Sequence, residues 1–199
     1  MLIIGITGNI GSGKTTVSKM LESKGAYVIN ADQIAREALE INGAGYDEAV
    51  MFFGKSILKA NAEIDRTKLA SIVFNDGAKL AKLNTITHKY VLARIDALIA
   101  KVKVENSHDM ICLDVPLLFE VGLDKICDST WTLDASYETK IARAMERDKS
   151  ERDAVKNRLD IQTDSRELRE KSDIVIENDS CFDKLEEQVT LELSKLLRS

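Results

Sequence analysis

Short apolar runs alternate along this chain with longer stretches whose apolar residues recur every three or four positions. Leu2 to Thr7, Tyr27 to Asn30, Met110 to Asp114, Ser129 to Leu133 and Asp173 to Ile176 read as strands. The third and fifth are almost unbroken in apolar residues, the pattern of strands covered on both faces. Helical spacing marks Val17, Met20 and Leu21, then Val91, Ile95, Leu98 and Val102. It returns in Phe182, Leu185, Val189, Leu193 and Leu196, an amphipathic closing helix. Strand-helix alternation of this kind predicts an α/β fold built on a mostly parallel sheet. No convincing strand falls between about 33 and 108, where helical patterns surround a loop at Asn42 to Gly45, so this segment predicts a helical lobe. Pro116 follows the third strand, where it breaks no ladder.

Bulk composition narrows the reading only a little. A length of 199 residues suits one domain with a small lobe, and 44% hydrophobic residues suffice for a core. A net charge of −5 argues against a surface that coats nucleic acid, while leaving room for a local basic pocket. Cys112, Cys127 and Cys181 contain no C-x-x-C pair and are odd in number, so no disulfide framework is expected. Neither a basic-then-apolar leader nor a run near the ~20 apolar residues of a membrane helix is present. A cytoplasmic protein without membrane or nucleic-acid partners is therefore expected, as a monomer or small homo-oligomer.

The most specific chemistry lies after the first strand. Gly8, Asn9, Ile10, Gly11, Ser12, Gly13, Lys14 and Thr15 fit G-x-x-x-x-G-K-[ST], the phosphate-binding P-loop, with Thr16 continuing into a helix. The glycines let several backbone N–H groups converge on a phosphate at a helix N-terminus. Lys14 can then reach the β- and γ-phosphates, and the Thr15 hydroxyl can ligate Mg²⁺. A nucleotide-binding protein follows. A GTPase switch does not, because no aspartate precedes a glycine by three residues and Asn-Lys never occurs.

Other candidates are more open. Asp32, just past the second strand, reads equally as a carboxylate that orients an acceptor hydroxyl and as a helix N-cap. Asp114 ends the third strand, where a Mg²⁺-holding carboxylate would stand. His88 lies on a predicted helix, and His108 has no evident partner. The run from Tyr137 to Arg169 is dense in charge, including Lys140, Arg143, Arg147, Arg158 and Arg169. It reads either as two solvated helices or as a lid whose arginines reach a transferring phosphoryl group. The second is favoured once a P-loop is present.

Taken in order, these segments resemble the dephospho-CoA kinase family. The resemblance rests on the P-loop, on Val28 to Arg36, on Ile64-Asp65-Arg66 with Leu69, and on Asp114-Val115-Pro116-Leu117-Leu118-Phe119-Glu120. Arg147-Asp148, Arg158 with Gln162, and Val175 to Asn178 complete it, so it spans residues 2 to 197. It implies a five-stranded parallel sheet, a helical substrate-binding lobe at 33–108 and a lid at about 137–169. It also implies transfer of the ATP γ-phosphoryl group, with Mg²⁺, to the 3′-hydroxyl of dephospho-CoA. Asp32, Lys14, Arg143 and Arg147 would then be catalytic. Arg36, Arg66, His88, Leu118 and Glu120 would stand on the substrate side, and Thr15 and Asp114 would hold the metal. Another small-molecule P-loop kinase, acting on a nucleotide or a sugar acid, is the alternative. The chain departs from the family pattern at Asn30, where an aspartate is usual, and at Lys89, Lys140 and Asn9, where proline, glutamine and glycine are.

Overall fold

The computed structural model describes residues 1–74 and 76–198; Asn75, inside the expected lobe, and Ser199 lie outside the described residues. Along the chain run β1 (Leu2–Thr7), α1 (Lys14–Ser23), β2 (Ala26–Asn30), α2 (Ala31–Ala38), α3 (Tyr46–Phe53), α4 (Arg66–Phe74) and α5 (Gly77–Glu105). They are followed by β3 (Met110–Asp114), β4 (Ser129–Asp134), α6 (Tyr137–Asp148), α7 (Arg152–Asp160), α8 (Ser165–Lys171), β5 (Ile174–Glu177) and α9 (Phe182–Leu196). Packing divides the chain into two units, Met1–Ile29 with Glu105–Ser199, and Asn30–Val104.

The first unit is built on a sheet of order β2-β3-β1-β4-β5. β1 pairs in parallel with β3, Leu2 opposite Met110 and Ile6 opposite Asp114, and with β4, Ile4 opposite Ser129. β4 pairs in parallel with β5, Trp131 opposite Ile174. The strand order reverses around β1, so ligands of such sheets are expected beyond the carboxyl ends of β1 and its neighbours. Ile4, Ile6, Trp131 and Leu133 pack with Val17, Met20 and Leu21 of α1 and Leu185, Val189 and Leu193 of α9. Each large side chain buried this way contributes about 1.5–3 kcal/mol.

Strand existence matches the sequence reading, and the ends differ by a residue. Asp173 begins no strand: its carboxylate accepts from Thr130 N at 2.8 Å and Thr130 Oγ1 at 2.7 Å, fastening β4 from just outside β5. The charged run from 137 to 169 forms three helices, α6 to α8, rather than two, because it is broken at 149–151 and again at 161–164. Lys149 takes a left-handed conformation at the first break, φ 50°.

The second unit is helical, as expected for the segment between β2 and β3. Ala49, Ile57, Ile64, Leu69 and Val73 form its core, with an isolated antiparallel bridge between Leu58 and Ile64. On α5 the buried stripe is Ile86, Val91, Ile95, Ile99 and Val102. Ile99 takes the place expected of Leu98, which is half-buried. Among the described residues no helix is long and apolar enough to cross a membrane.

Candidate active site

The loop between β1 and α1 has the conformation its sequence demands. Gly11 and Gly13 adopt φ +77° and +100°, values open to glycine and strained for other residues. Space excludes side chains there as well. A Cβ on Gly11 would lie 2.2 Å from the Lys140 carbonyl oxygen, and one on Gly13 would lie 2.1 Å from Asn178 Nδ2. Gly13 is the N-cap of α1 and provides no capping side chain, and the first turn contains no acidic residue. The positive end of the helix dipole therefore favours an anion at this helix start. Ser12 is 1% exposed, and its hydroxyl oxygen has no hydrogen-bond partner among the described residues. Burying a hydroxyl unpaired is unfavourable, and an anion with several acceptor oxygens would satisfy it. Lys14 donates from Nζ to the Gly8 carbonyl at 2.7 Å, which folds its charge into the loop. Thr15 is exposed and Thr16 half-buried at the start of α1, where Thr16 N donates to Gly13 O at 2.9 Å.

The first unit also supplies the loop's walls. Asn178, just past β5, is 5% exposed and donates from Nδ2 to Ser12 O at 2.8 Å. Arg143 donates from Nη1 to Asn178 O at 2.8 Å, so this arginine is braced against the residue that holds the loop. Lys140, in the charge-dense run for which a solvated surface was the disfavoured alternative, is only 5% exposed. Its Nζ lies 2.8 Å from Asp134 Oδ1 and 2.8 Å from Ser165 Oγ. Arg169 meets the same carboxylate at 3.1 Å and Glu177 at 2.6 Å. Burial raises the Asp134 pKa, but the hydrogen bonds and charges of Lys140 and Arg169 outweigh it and hold the carboxyl below its ordinary value. The position of Asn178 was visible in the sequence, but its bond to the loop depends on β5 lying beside β4, which a linear reading does not give.

Asp114 is 3% exposed at the end of β3, level with Ile6 at the end of β1. Leu118 is fully buried, and a Cβ on Gly5 would lie 2.9 Å from it, so its side chain supports β1 from beneath. Glu120 is exposed and accepts a hydrogen bond from Thr163 Oγ1. Arg147 is exposed and forks onto its neighbour Asp148 at 2.7 Å and 3.1 Å, with Arg158 on the same carboxylate at 3.0 Å. The Arg147 hydrogen bond is the largest influence on Asp148, and with the Arg147 charge and the Arg158 contact it lowers the pKa despite the opposing effect of burial.

In the second unit, Asp32 is the exposed second residue of α2. The capping role weighed for it belongs to Asn30, whose Oδ1 accepts from Gln33 N at 2.8 Å. Asparagine caps as well as aspartate does, so this departure from the family pattern keeps its structural function. Arg66 donates from Nη2 to Arg36 O at 3.1 Å, bringing those two candidates together. Arg66 also lines a cavity of about 530 Å³ with Lys59, Glu40 and Glu63. His88 is half-buried on α5, away from the lining of that cavity.

The loop, Thr15 and Asp114 belong to one unit, and the last two carry hard oxygen atoms of the kind that could hold a divalent cation. A family model described as CoaE: Dephospho-CoA kinase matches residues 2–184. A dephospho-CoA kinase of Fusobacterium nucleatum subsp. nucleatum is 41% identical over 189 residues, 95% of this chain and 95% of that protein. A crystal structure from Thermus thermophilus superposes with a TM-score of 0.84 at 31% identity, covering 98% of this chain and 97% of the other. A dephospho-CoA kinase structure from Campylobacter jejuni gives 0.71 at 28% identity, covering 98% and 96%.

Proposed function

The chain belongs to the dephospho-CoA kinase family, and on that premise we propose that it transfers the ATP γ-phosphoryl group to the 3′-hydroxyl of dephospho-CoA. One observation carries the nucleotide half of this reading. The loop at 8–15 presents an uncapped helix start, a buried hydroxyl without a partner among the described residues and an inward-folded lysine. The acceptor comes from the family, whose likeness extends over nearly the whole chain.

In this reading Gly8, Asn9, Ile10, Gly11, Ser12, Gly13, Lys14, Thr15 and Thr16 enclose the phosphates. Lys14 supplies positive charge inside the loop. Thr15 and Asp114 would hold Mg²⁺, which neutralises phosphate charge and orients the transferring group. Asp32 orients the acceptor hydroxyl, since Asn30 has taken over the helix cap. Arg143 and Arg147 spread the charge that develops on the transferring group. Arg36, Arg66, His88 and Glu120 face the dephospho-CoA, whose lobe is 33–108, and about 137–169 acts as the lid. Leu118 serves the site through packing. The enzyme works in the cytoplasm as a monomer or small homo-oligomer, without nucleic-acid or membrane partners.

An acceptor panel tests the reading. ADP release with Mg²⁺ and ATP is followed with dephospho-CoA, a nucleoside monophosphate, gluconate and shikimate. Turnover that depends on dephospho-CoA and yields coenzyme A is expected. Preference for any other acceptor would overturn the substrate assignment and leave the phosphate loop intact.

A further inference from the structure

The tip of the phosphate loop is bound by side chains and backbone of one short turn, residues 161–164 with Ser165, between α7 and α8. Ile10 N donates to Gln162 Oε1 at 2.9 Å. Asn9 donates from Nδ2 to Thr163 O at 3.2 Å and reaches Ser165 Oγ at 3.4 Å. The same Ser165 hydroxyl meets the buried Lys140 ammonium at 2.8 Å, and Thr163 bonds Glu120. The Ile10 side chain packs on Ile141, Ala144, Val155 and Leu159 of α6 and α7.

Two features make this more than surface packing. The Ile10 amide is one of the loop's backbone donors, and it is spent on a neutral side-chain acceptor rather than left for phosphate. The Asn9 side chain adds two contacts to the same turn, so the loop tip is held by its own side chain as well as by its backbone. A loop of glycines in left-handed conformations is entropically costly to order. If it were floppy, nucleotide would have to order it on binding, and affinity would fall accordingly.

We infer that Gln162 and Asn9 are positioning residues that hold the phosphate loop in its nucleotide-ready shape before ATP arrives. This rests on the loop's role in the proposed kinase reaction. The clamp is read by ATP and not by the acceptor. Losing the Gln162 acceptor should raise the KM for ATP roughly threefold to tenfold, the worth of about one hydrogen bond. The KM for dephospho-CoA should stay as it is.

The test compares wild type with Gln162→Leu, Asn9→Gly and the double variant. Steady-state KM is measured for each substrate, with urea unfolding and hydrogen exchange of the peptide covering residues 8–13 without nucleotide. The expected result is a raised KM for ATP alone, faster exchange in that peptide and an unfolding midpoint close to wild type. Asn9→Gly removes only the two side-chain contacts of a half-buried loop residue, so it remains informative even if Gln162→Leu folds poorly. An unchanged KM for ATP in both single variants, or equal rises in both KM values with a lowered midpoint, overturns the clamp. A wild-type protein inactive on dephospho-CoA is a separate result, which refutes the kinase assignment itself.

Discussion

Replacing Lys140 with methionine should destabilise the fold by about 2–4 kcal/mol, an effect that tests whether a buried cation anchors the wall behind the phosphate loop. The lysine and aspartate side chains are 6% and 14% exposed and lie 2.8 Å apart. Breaking such a pair costs about 3–5 kcal/mol, because one charge is left in low dielectric. Arg169 remains on Asp134 at 3.1 Å, which trims the loss. Methionine preserves most of the stem's packing, so the change reports on the ammonium. Lys140→Gln, the usual family residue, keeps a donor toward Asp134 and Ser165 and should lose only about 1 kcal/mol. Trp131, the one tryptophan and fully buried, provides a fluorescence signal for urea unfolding. With a urea dependence of about 2 kcal/mol per molar, the methionine variant's midpoint should fall by roughly 1–2 M. The pH dependence gives a second check. The folded Asp134 pKa lies below its unfolded value, so the stabilisation is complete above about pH 4 and fades as pH falls through the folded value. The gap between wild type and Lys140→Met should therefore narrow in acid. A methionine variant within 0.5 kcal/mol of wild type, roughly the noise of such comparisons, would refute the reasoning, as would a glutamine variant equally unstable.

Asp32→Asn should lower kcat at least a hundredfold, in the range of lost general acid–base assistance, while direct ATP binding stays near wild type; equal losses in both would remove its assigned role. Leu118→Ala should cost about 2–5 kcal/mol in urea unfolding, the range for an emptied core leucine, and a stable variant with a raised KM for dephospho-CoA would return Leu118 to the binding surface. Burial first, then the charges of Asp124, Asp128 and Asp173, push the half-buried Cys127 thiol up to about 12, while burial raises Cys112 further still. At pH 8 a disulfide reagent should titrate the exposed Cys181 quickly and the other two only on unfolding, and a second fast thiol would contradict this packing.

What the sequence disclosed follows from how local each feature is. The phosphate loop was legible because its glycines, lysine and threonine act within eight consecutive positions, flanked by a strand and a helix whose patterns are equally local. The buried pairing of Lys140 was not legible because its partners lie 6 and 25 residues away and meet it only when β4, α6 and α8 pack together. Asn30 and Asp32 are both good caps, and the choice between them was decided by α2 beginning at Ala31, directly after the strand, a helix boundary that a sequence pattern leaves loose by a residue or two. Leu118 stood in a motif that looked functional throughout, although Asp114, Val115 and Leu118 within it are buried. The stripe on α5 slid from Leu98 to Ile99 because a helix turns 3.6 residues at a time and either spacing fits.

Transfer of label from γ-³²P-ATP tests the central claim most directly. Wild type and Lys14→Met would be incubated with Mg²⁺ and dephospho-CoA, and the products separated by chromatography. The account predicts radioactive coenzyme A with its label on the 3′-phosphate, formed by wild type and reduced by several orders of magnitude in the variant. Label released only as inorganic phosphate, or coenzyme A formed equally well without Lys14, would contradict it.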